Sequence, residues 1–144
     1  MSSCHIRSGS PEDVIQIFAQ IPEFDNLPDA VSITSRLKDV PHLILLACID
    51  DVVVGFKIGY ERDQKFYSWL GAIHPDYRRM GIAADLAMEQ ENWARSNGYK
   101  VIWMKSRNRF PSMLIMALNR GFNIICIDAQ DSIAEHRIIM EKSL

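Results

Sequence analysis

The sequence Arg78-Arg79-Met80-Gly81-Ile82-Ala83 joins two apolar segments and decides the fold. Residues 66–73 before it have the composition of a β-strand, and residues 82–97 after it have the apolar spacing of a helix. The first backbone N–H groups of a helix lack partners within the helix and lie at the positive end of its dipole. Because Gly81 admits an anion close to the backbone and the arginines add positive charge, this turn predicts a phosphate site. A basic turn is also typical of an ordinary solvated surface.

Strand and helix patterns alternate on both sides of this turn. Strands are predicted near residues 5–7, 43–49, 52–60, 66–73, 101–105, 122–127 and 136–140, and helices from residue 11, over 29–38, over 82–97 and over 111–119. Asp50-Asp51 predicts a tight hairpin, and the strand–helix–strand unit between residues 66 and 105 requires a parallel pair with a right-handed crossover. This order predicts an α/β fold with a mixed, mostly antiparallel sheet of about seven strands, one central parallel pair and about four helices.

Helix-boundary signals support this order. Ser10 precedes a proline and two acids, which is a favourable start for the first helix. The third helix has an apolar face that includes Leu86, and Glu91 and Arg95 on it are spaced for an ion pair. Asn97-Gly98 is a typical end for that helix.

Length and composition are those of an ordinary globular domain. The 144 residues fit one domain, residues 1–144, with 48% apolar and 24% charged content. A net charge of −2 without a basic stripe argues against a nucleic-acid partner. Cys4, Cys48 and Cys126 are far apart and lack Cys-x-x-Cys spacing, so we expect neither disulfides nor a metal site. Without a signal-peptide core or an apolar run of membrane-spanning length, we expect a cytoplasmic protein with no membrane partner.

The segment from strand to helix resembles the signature of the GNAT superfamily, the acetyl-CoA-dependent N-acyltransferases. Arg78, Gly81 and Ala83 match the family pattern Gln/Arg-x-x-Gly-x-Gly/Ala, and Gly121-Phe122 matches its second half-motif. The resemblance implies acetyl-CoA as the cosubstrate. It also implies that the two parallel strands splay apart, so that unpaired strand amides bind the pantetheine arm as a pseudo-strand. Gly71 is placed for the bulge that would produce this splay.

The resemblance assigns the cofactor contacts mostly to the backbone. The amides of residues 79–83 are expected to hold the pyrophosphate, and two residues at the strand end are expected to bond the pantetheine arm through their main chain. Asn108 lies where the family often has a cofactor-contacting asparagine, although an ordinary turn or N-cap role fits it as well. The predicted cofactor-binding residues are Ala72, Ile73, Arg78, Arg79, Met80, Gly81, Ile82, Ala83 and Asn108.

The sequence departs from the family where the leaving thiolate is usually protonated. Many members have a tyrosine four residues before the glycine of the Gly-Phe pair, and this chain has Ala117 there. A thiol with a pKa of about 8.5 is nevertheless a fair leaving group near neutral pH. An alkylammonium acceptor must lose a proton before it attacks, and Glu61, Asp63 and Tyr67 are the candidate bases. His74 lies at a strand exit, and we expect no catalytic role for it.

The leading hypothesis is an N-acetyltransferase that moves an acetyl group from acetyl-CoA directly to a primary amine. The acceptor is left open among a small molecule, a peptide N-terminus and a lysine. An alternative is a catalytically weak acyl-CoA-binding module, which Ala117 alone supports. A third is an interaction protein whose basic turn binds another phosphate ligand, although the glycine motifs of nucleotide-binding turns are absent. A homodimer is plausible, since many members of the family dimerise.

Overall fold

A seven-stranded sheet forms the body of the protein in a computed structural model, which describes residues 4–22 and 28–144. Its strands are β1 (Cys4–Ser8), β2 (His42–Ile49), β3 (Val52–Arg62), β4 (Lys65–Ile73), β5 (Val101–Arg107), β6 (Asn123–Asp128) and β7 (Arg137–Ser143). The α-helices in the described residues are α1 (Pro11–Phe18), α2 (Ala30–Leu37), α3 (Ile82–Ser96) and α4 (Pro111–Asn119). Short 3-10 turns lie at Pro75–Tyr77 and Ile133–Glu135. The predicted order of elements is confirmed.

The strands lie in the order β1-β2-β3-β4-β5-β7-β6. Every neighbouring pair is antiparallel except β4 and β5, which are parallel and are connected through α3. This connection is the strand–helix–strand crossover that the sequence predicts. The predicted fold class, a mixed and mostly antiparallel α/β sheet with one central parallel pair, is therefore confirmed.

Two-residue turns join β2 to β3 and β3 to β4. Asp50 and Asp51 have φ of 51° and 65°, and Asp63 and Gln64 have φ of 58° and 65°. Positive φ at both central residues is the geometry of a type I′ hairpin turn, which matches the right-handed twist of the paired strands. The second turn is shorter than the segment expected from the sequence, because β3 and β4 both extend into it.

Helices cover both faces of the sheet and divide the core into two layers. On one face, α3 and α4 pack over a layer that includes Phe66 and Ile102. On the other face, α1 and α2 pack over a layer that includes Phe56, Ile58 and Tyr67. Successive residues of β4 therefore reach opposite faces, as the period of a strand requires. Each fully buried side chain of this kind contributes about 1.5–3 kcal/mol to the free energy of unfolding.

Glu91 on α3 belongs to a buried ion network. This residue is 5% exposed, and its carboxylate accepts from Arg120 Nη2 at 2.9 Å and from Lys142 Nζ at 2.6 Å. Its predicted partner, Arg95, donates instead to Asn92 Oδ1 at 2.9 Å. The prediction of a surface pair along α3 is wrong because Glu91 faces the sheet. A carboxylate in that position must be compensated by cations from other elements.

The parallel strands β4 and β5 pair over a short distance and then separate. Their pairs are Phe66–Ile102, Tyr67–Trp103 and Ser68–Met104. Beyond Ser68, β4 pairs with β3 alone and β5 with β7 alone among the described strands. Residues 69–73 of β4 and 105–107 of β5 therefore border a wedge-shaped opening, which we call the cleft. The splay that the family resemblance implies is present.

The bulge that accompanies this separation lies at Trp69. The register between β3 and β4 shifts at Ile58 and Gly59, which makes Trp69 the extra residue of β4. The prediction that Gly71 forms the bulge is wrong. An extra residue bends its strand and increases the local twist, so a bulge at the last parallel pair turns β4 away from β5.

Candidate active site

The loop between β4 and α3 presents backbone N–H groups at an open helix end. Gly81 is the N-cap of α3 with φ of 80°, and no side chain of the described residues caps this end. Arg79 also adopts a left-handed conformation, with φ of 64°. A Cβ built at Gly81 would have no described atom within 4 Å. An anion can therefore approach the first amides of α3 closely.

Arg78 connects this loop to the end of β4. Its Nε donates to the carbonyl oxygen of Ile73 at 3.0 Å. Arg78, Arg79 and Met80 are exposed, whereas Ile82 is buried and anchors the first turn of α3. The two arginines place positive charge beside the α3 N-terminus, while the hydrogen bond holds the loop at the mouth of the cleft.

Ala72 and Ile73 lie on the edge of β4 that borders the cleft. Residues 70–73 pair with β3 on one side, and on the other side they have no strand partner among the described residues. An extended molecule that carries amide groups can satisfy such an edge as an added strand does. The structure therefore brings the predicted phosphate loop and the predicted arm-binding residues to one cleft.

The family of this chain follows from comparison with a family profile. The profile of the acetyltransferase (GNAT) family matches residues 12–113, which include the cleft and the phosphate loop. The chain belongs to the GNAT family. This confirms the family that the Arg78, Gly81 and Ala83 pattern indicates. A comparison with curated proteins found no match.

Solved structures with the same fold include several acetyltransferases. Ard1 from Thermoplasma volcanium has a TM-score of 0.83 at 19% identity, over 98% of this chain and 97% of that one. The ribosomal-protein-S18-alanine N-acetyltransferase from Escherichia coli has a TM-score of 0.83 at 18% identity, over 98% and 94%. The PaiA N-acetyltransferase from Thermoplasma acidophilum, in complex with coenzyme A, has a TM-score of 0.76 at 19% identity, over 99% and 99%. At these identities, the likeness establishes the fold of the GNAT chain.

His74 of the GNAT chain has a structural role at the exit from β4. Its Nδ1 accepts the Asp76 N–H at 3.1 Å and so caps the 3-10 turn Pro75–Tyr77. Its ring packs edge-on against Tyr77, with the centroids 5.5 Å apart. This geometry supports the prediction that His74 has no catalytic role, because the ring is used to shape the approach to the phosphate loop.

Asn108 joins the loop after β5 to the segment before β7. Its Nδ2 donates to the carbonyl oxygen of Ile133 at 2.8 Å. Arg107 and Arg109 support the same junction through ion pairs with Glu135 at 2.8 Å and 3.2 Å. The turn role weighed for Asn108 therefore has a visible partner, and its contact with the cofactor stays a prediction.

Two of the three candidate bases lie at the closed end of the β4–β5 pair. Glu61 is opposite Phe66, before the cleft opens, and its Oε1 accepts the Tyr99 hydroxyl at 3.0 Å. Burial, together with this hydrogen bond and the charge of Glu61, raises the pKa of Tyr99 to about 12. Asp63 is an exposed turn residue. These positions weigh against direct proton transfer from an acceptor to either carboxylate.

Tyr67 is the candidate base beside the cleft. It is paired with Trp103 next to the last parallel pair, and the two rings stack with centroids 4.3 Å apart. Burial raises the pKa of Tyr67, and Tyr60 adds to the increase, while Arg62 and Arg36 oppose it. A phenol with a raised pKa stays protonated near neutral pH, so Tyr67 is better suited to donate a hydrogen bond than to remove a proton.

A mostly apolar cavity with a few polar groups, on the α3–α4 side of the cleft, contains residues that the sequence analysis missed. Its volume is about 20 Å³, enough for one water-sized group. Its lining includes Lys57, Ser68, Gln90, Glu91 and Ala117. Ala117 is 2% exposed and contributes a methyl group without a hydroxyl. The sequence does carry a signal for this site, because Lys57 is the one charged residue in the apolar run 52–60.

Within residues 4–22 and 28–144, no helix combines the length and the apolar character needed to cross a membrane. In the same ranges, no three or more His, Cys, Asp and Glu side chains are grouped so that they could hold a metal ion. The absence of a metal and of a membrane partner stays a prediction.

Proposed function

We propose that this GNAT protein is a cytoplasmic N-acetyltransferase that moves an acetyl group from acetyl-CoA directly to a primary amine. One observation carries the proposal. The uncapped N-terminus of α3 at Gly81 and the unpaired edge of β4 border the same cleft. The helix end suits a pyrophosphate, and the strand edge suits an amide-bearing arm. Membership of the family supports acetyl transfer in general, and the choice of nitrogen as the acceptor atom is our inference.

The residues of the cleft fit coenzyme A chemically. The open N-cap at Gly81 leaves room for phosphate oxygens, and Arg78 and Arg79 supply charge on one side of it. The backbone of Ala72 and Ile73 would bond the pantetheine amides. The T. acidophilum enzyme with the same fold was solved in complex with coenzyme A, which supports the same ligand here. Acetyl-CoA would supply the acetyl group as a thioester.

The contribution of the chain to the transfer is mainly positioning and polarisation. The acceptor nitrogen attacks the thioester carbonyl carbon, so a C–N bond forms as the C–S bond breaks. Free N–H groups along residues 69–73 would stabilise the negative charge that develops on the carbonyl oxygen. Two reactants held in one cleft also react without a bimolecular encounter. The base stays unassigned, because Glu61 would have to act through water and the raised pKa of Tyr67 suits this phenol to donate a hydrogen bond.

A second candidate function is an acyl-CoA-binding module with little or no turnover. Ala117 supports it, because this buried residue lines the cavity and offers no hydroxyl to the departing sulfur. The two functions share the cofactor site at Gly81 and differ only in the chemistry at the inner end of the cleft. An assay that measures binding and turnover separately therefore distinguishes them.

We also propose that two copies of the chain associate through β6. This edge strand is exposed along its whole length, and Ile124, Ile125 and Ile127 are 50%, 51% and 59% exposed. Pairing of two β6 edges would cover these side chains and the free strand amides together. Analytical ultracentrifugation should show a dimer that Ile125→Lys dissociates. A monomeric parent protein over the accessible concentration range would contradict the association.

Calorimetry and a free-CoA assay test the enzyme proposal together. We expect micromolar binding of acetyl-CoA and release of CoA with at least one amine from a panel of amino acids, polyamines, small amines and peptides. The N-acetylated form of the same amine is the matched control and should release none. Binding without release across the panel would favour the module. A folded protein that binds neither CoA nor acetyl-CoA would contradict both functions, and a stable acetyl-protein intermediate would contradict direct transfer.

A further inference from the structure

Aromatic and cationic side chains gather on the face of the sheet opposite the cavity. We call the following residues the aromatic–cation cluster: Arg36, Tyr60, Arg62, Tyr67, Trp69, Trp103 and Lys105. Tyr60 meets the rings of Tyr67 and Trp69 edge-on, at centroid distances of 5.5 Å and 5.7 Å, and Tyr67 stacks on Trp103. The rings therefore form one continuous cluster beside the last parallel pair of strands, in which Tyr60 and Tyr67 are buried and Trp69 and Trp103 are partly exposed.

Three cations lie over this aromatic surface. The Arg36 guanidinium is 4.7 Å from the centroid of the Trp69 ring, and its Nη1 donates to the Tyr60 hydroxyl at 3.2 Å. Arg62 is 5.4 Å and 5.5 Å from the centroids of the two stacked rings, and the Lys105 ammonium is 6.0 Å and 5.7 Å from the same centroids. Cations held over rings keep their charge available to a further ligand.

The neighbouring carboxylates are already paired with other cations. Those pairs are Lys65–Glu141 at 3.1 Å, Arg107–Glu135 at 2.8 Å and Arg137–Asp128 at 3.9 Å. Among the described residues, Arg36, Arg62 and Lys105 have no ion-pair partner. Burial lowers the pKa of Lys105, and the positive charges of Arg62 and Arg137 lower it further while Asp128 opposes them. The cluster therefore has an excess of positive charge that a bound anion would relieve.

The cluster lies where an acceptor would reach the thioester. Trp69 and Lys105 are the first residues of β4 and β5 on this face beyond the last parallel pairs. On the opposite face, α3 and α4 close over the sheet and leave a cavity of only about 20 Å³. We therefore place the approach of the amine on the cluster side.

We propose that the acceptor is an amine that also carries a carboxylate, and that the aromatic–cation cluster binds this carboxylate. The proposal rests on the proposed function and narrows its acceptor class. Arg62 and Lys105 would hold the negative group, and the rings would contact the carbon skeleton. Cationic acceptors such as polyamines and lysine-rich peptides would be disfavoured by like charge.

Matched ligands that differ only in charge test this acceptor class. The probes are β-alanine against β-alaninamide, and amidated dipeptides that begin with glutamate, glutamine or lysine. Quenching of tryptophan fluorescence measures binding without turnover, because Trp69 and Trp103 belong to the cluster. We expect each carboxylate ligand to bind about tenfold more tightly than its amide counterpart. Added salt should reduce this preference.

Substitutions in the aromatic–cation cluster test whether these residues produce the preference for carboxylate ligands. Lys105→Met and Arg62→Met should each weaken the binding of carboxylate ligands by about five- to tenfold. The affinity for their amide counterparts should not change. Lys65→Met is the matched control, since Lys65 is paired with Glu141, and it should keep the preference. Equal affinity within each pair, or tighter binding of the lysine dipeptide, would overturn the proposal. Selective carboxylate binding without CoA release would support the anion site and contradict the proposed enzyme.

Lys57 lies on the cavity side of β3. It lies opposite Gly71 in the splayed part of β4. A Cβ at Gly71 would be in ordinary van der Waals contact with Lys57, 3.4 Å from its Cγ and 3.6 Å from its Nζ, so the lysine side chain lies over the strand at this residue. Ser68 and Ala117 line the same cavity. The lysine therefore lies beside the inner end of the cleft, where the last parallel pair ends.

The polar groups around this cavity include donors that lack acceptors. Glu91 is engaged by Arg120 and Lys142, while Lys57 is partly buried beside them and has no hydrogen-bond acceptor among the described residues. Gln90 is 1% exposed and its Nε2 has no partner in the described part of the chain, and the same is true of the Arg120 Nε. The unpaired donors of Gln90 and Arg120 favour an occupant that accepts hydrogen bonds, such as a thiolate sulfur.

We infer that Lys57 protonates the sulfur that leaves in the transfer, which again rests on the proposed function. The pyrophosphate would lie at the cleft mouth, so the sulfur at the far end of the pantetheine arm would lie at the inner end. As the acceptor nitrogen bonds to the carbonyl carbon, it releases a proton to water, and the C–S electron pair goes to the sulfur. Lys57 gives that sulfur a proton, becomes a neutral amine, and regains a proton from water.

The ionisation of Lys57 suits this role. Burial lowers its pKa to about 8, Glu91 opposes the change, and Arg120 adds to it. This pKa is close to that of a thiol, about 8.5, so the transfer is nearly balanced in free energy. The ammonium form predominates at neutral pH and is lost as the pH rises through about 8. Turnover should therefore decline on the alkaline side of that value.

Titration of the thiol of bound CoA tests the inference without turnover. Ultraviolet absorbance of the thiolate should show a pKa below about 8.5 on the parent protein and a return towards it in Lys57→Met. Lys142→Met is the control, because it removes a different cation from Glu91 and should leave the thiol unchanged. Lys57→Met should also lower kcat at least about tenfold and remove the alkaline decline, with the KM for acetyl-CoA within a few-fold.

Two results would overturn the role of Lys57. The first is an identical thiol pKa in the parent protein and Lys57→Met when both bind CoA, and this result does not depend on turnover. The second is acetylation of Lys57 by acetyl-CoA alone, detected by mass spectrometry, because the lysine would then be an acyl acceptor. Failure of the folded protein to bind CoA would instead contradict the proposed function.

Discussion

The two ends of α3 have similar glycine geometry and different uses. Gly81 before the helix has φ of 80°, Gly98 after it has φ of 88°, and a Cβ at either would have no described atom within 4 Å. At the C-terminal end, backbone N–H groups of the following residues hydrogen-bond to the last carbonyl groups of the helix. The Asn97 N–H bonds to Trp93 O at 3.0 Å, and the Tyr99 N–H bonds to Ala94 O at 3.1 Å. At the first end, no side chain of the described residues caps the amides.

This difference indicates that the open end is a feature of the site and is not forced by the fold. The N-terminus of α1 shows how the same chain closes a helix start. There the Ser10 side chain accepts the Asp13 N–H, and the Asp13 carboxylate accepts the Ser10 N–H at 2.9 Å. A capping box of this kind satisfies two amides that would otherwise need a ligand or water. At Gly81 no side chain of residues 4–22 or 28–144 supplies such an acceptor, which leaves the amides open to a ligand or water.

Matched substitutions at the two glycines give the largest expected contrast. Gly81→Val should weaken acetyl-CoA binding at least about a hundredfold, because the side chain would occupy the open space and strain the left-handed residue. Gly98→Val introduces the same strain, about 1–2 kcal/mol of stability, at the other end. It should leave binding unchanged in calorimetry. If both variants bind like the parent protein, the phosphate loop is assigned wrongly.

The arginines near the two ends give a smaller contrast. Arg79→Ala should weaken acetyl-CoA binding by about 1–3 kcal/mol, since it removes one charge-assisted contact and leaves the amides in place. Arg95, in the last turn of α3, is the control. It donates to Asn92 and adds charge at the negative end of the helix dipole. Arg95→Ala should change binding by less than the error of the titration, and an equal loss in both variants would point to non-specific attraction.

Local signals account for what the sequence predicted. The hairpin residues Asp50 and Asp51, the cap Ser10 and the glycine Gly81 each act within a few residues of their position. Their conformational preferences hold before any long-range contact forms. For this reason the order of elements, the hairpin and the glycine at the start of α3 were all accessible from the sequence.

Cross-strand register accounts for what the sequence could not supply. The bulge falls at Trp69, and Gly71 faces Lys57, only because β3 and β4 pair in one particular register. A slip of one residue in this register would turn the side chains of one strand to the other face of the sheet. The partners of Glu91 likewise come from elements 29 and 51 residues away. Helix spacing alone favours a neighbour such as Arg95, so the buried network was missed.

A substitution at the closed end of α3 should have a moderate effect on stability and none on acetyl-CoA binding. The Asn97 Nδ2 donates to Trp93 O at 2.8 Å and adds a side-chain bond to the backbone closure. Asn97→Ala should lower the free energy of unfolding by about 0.5–1.5 kcal/mol in urea titration. Its affinity for acetyl-CoA should equal that of the parent protein. A change in affinity would mean that the two ends of the helix are coupled, and the comparison between them would lose its basis.

The smallest expected effect on activity is at His74, on the approach to the open end. His74 accepts the Asp76 N–H at 3.1 Å and packs against Tyr77, so its removal should loosen the 3-10 turn. His74→Ala should lower the free energy of unfolding by about 1 kcal/mol, with turnover within a few-fold of the parent protein. His74→Asn offers a cap acceptor and should recover part of the stability. These variants separate the cap from the chemistry, because a general base contributes about a hundredfold or more to turnover. A loss of that size in both variants, with unchanged affinity for acetyl-CoA, would place His74 in the reaction.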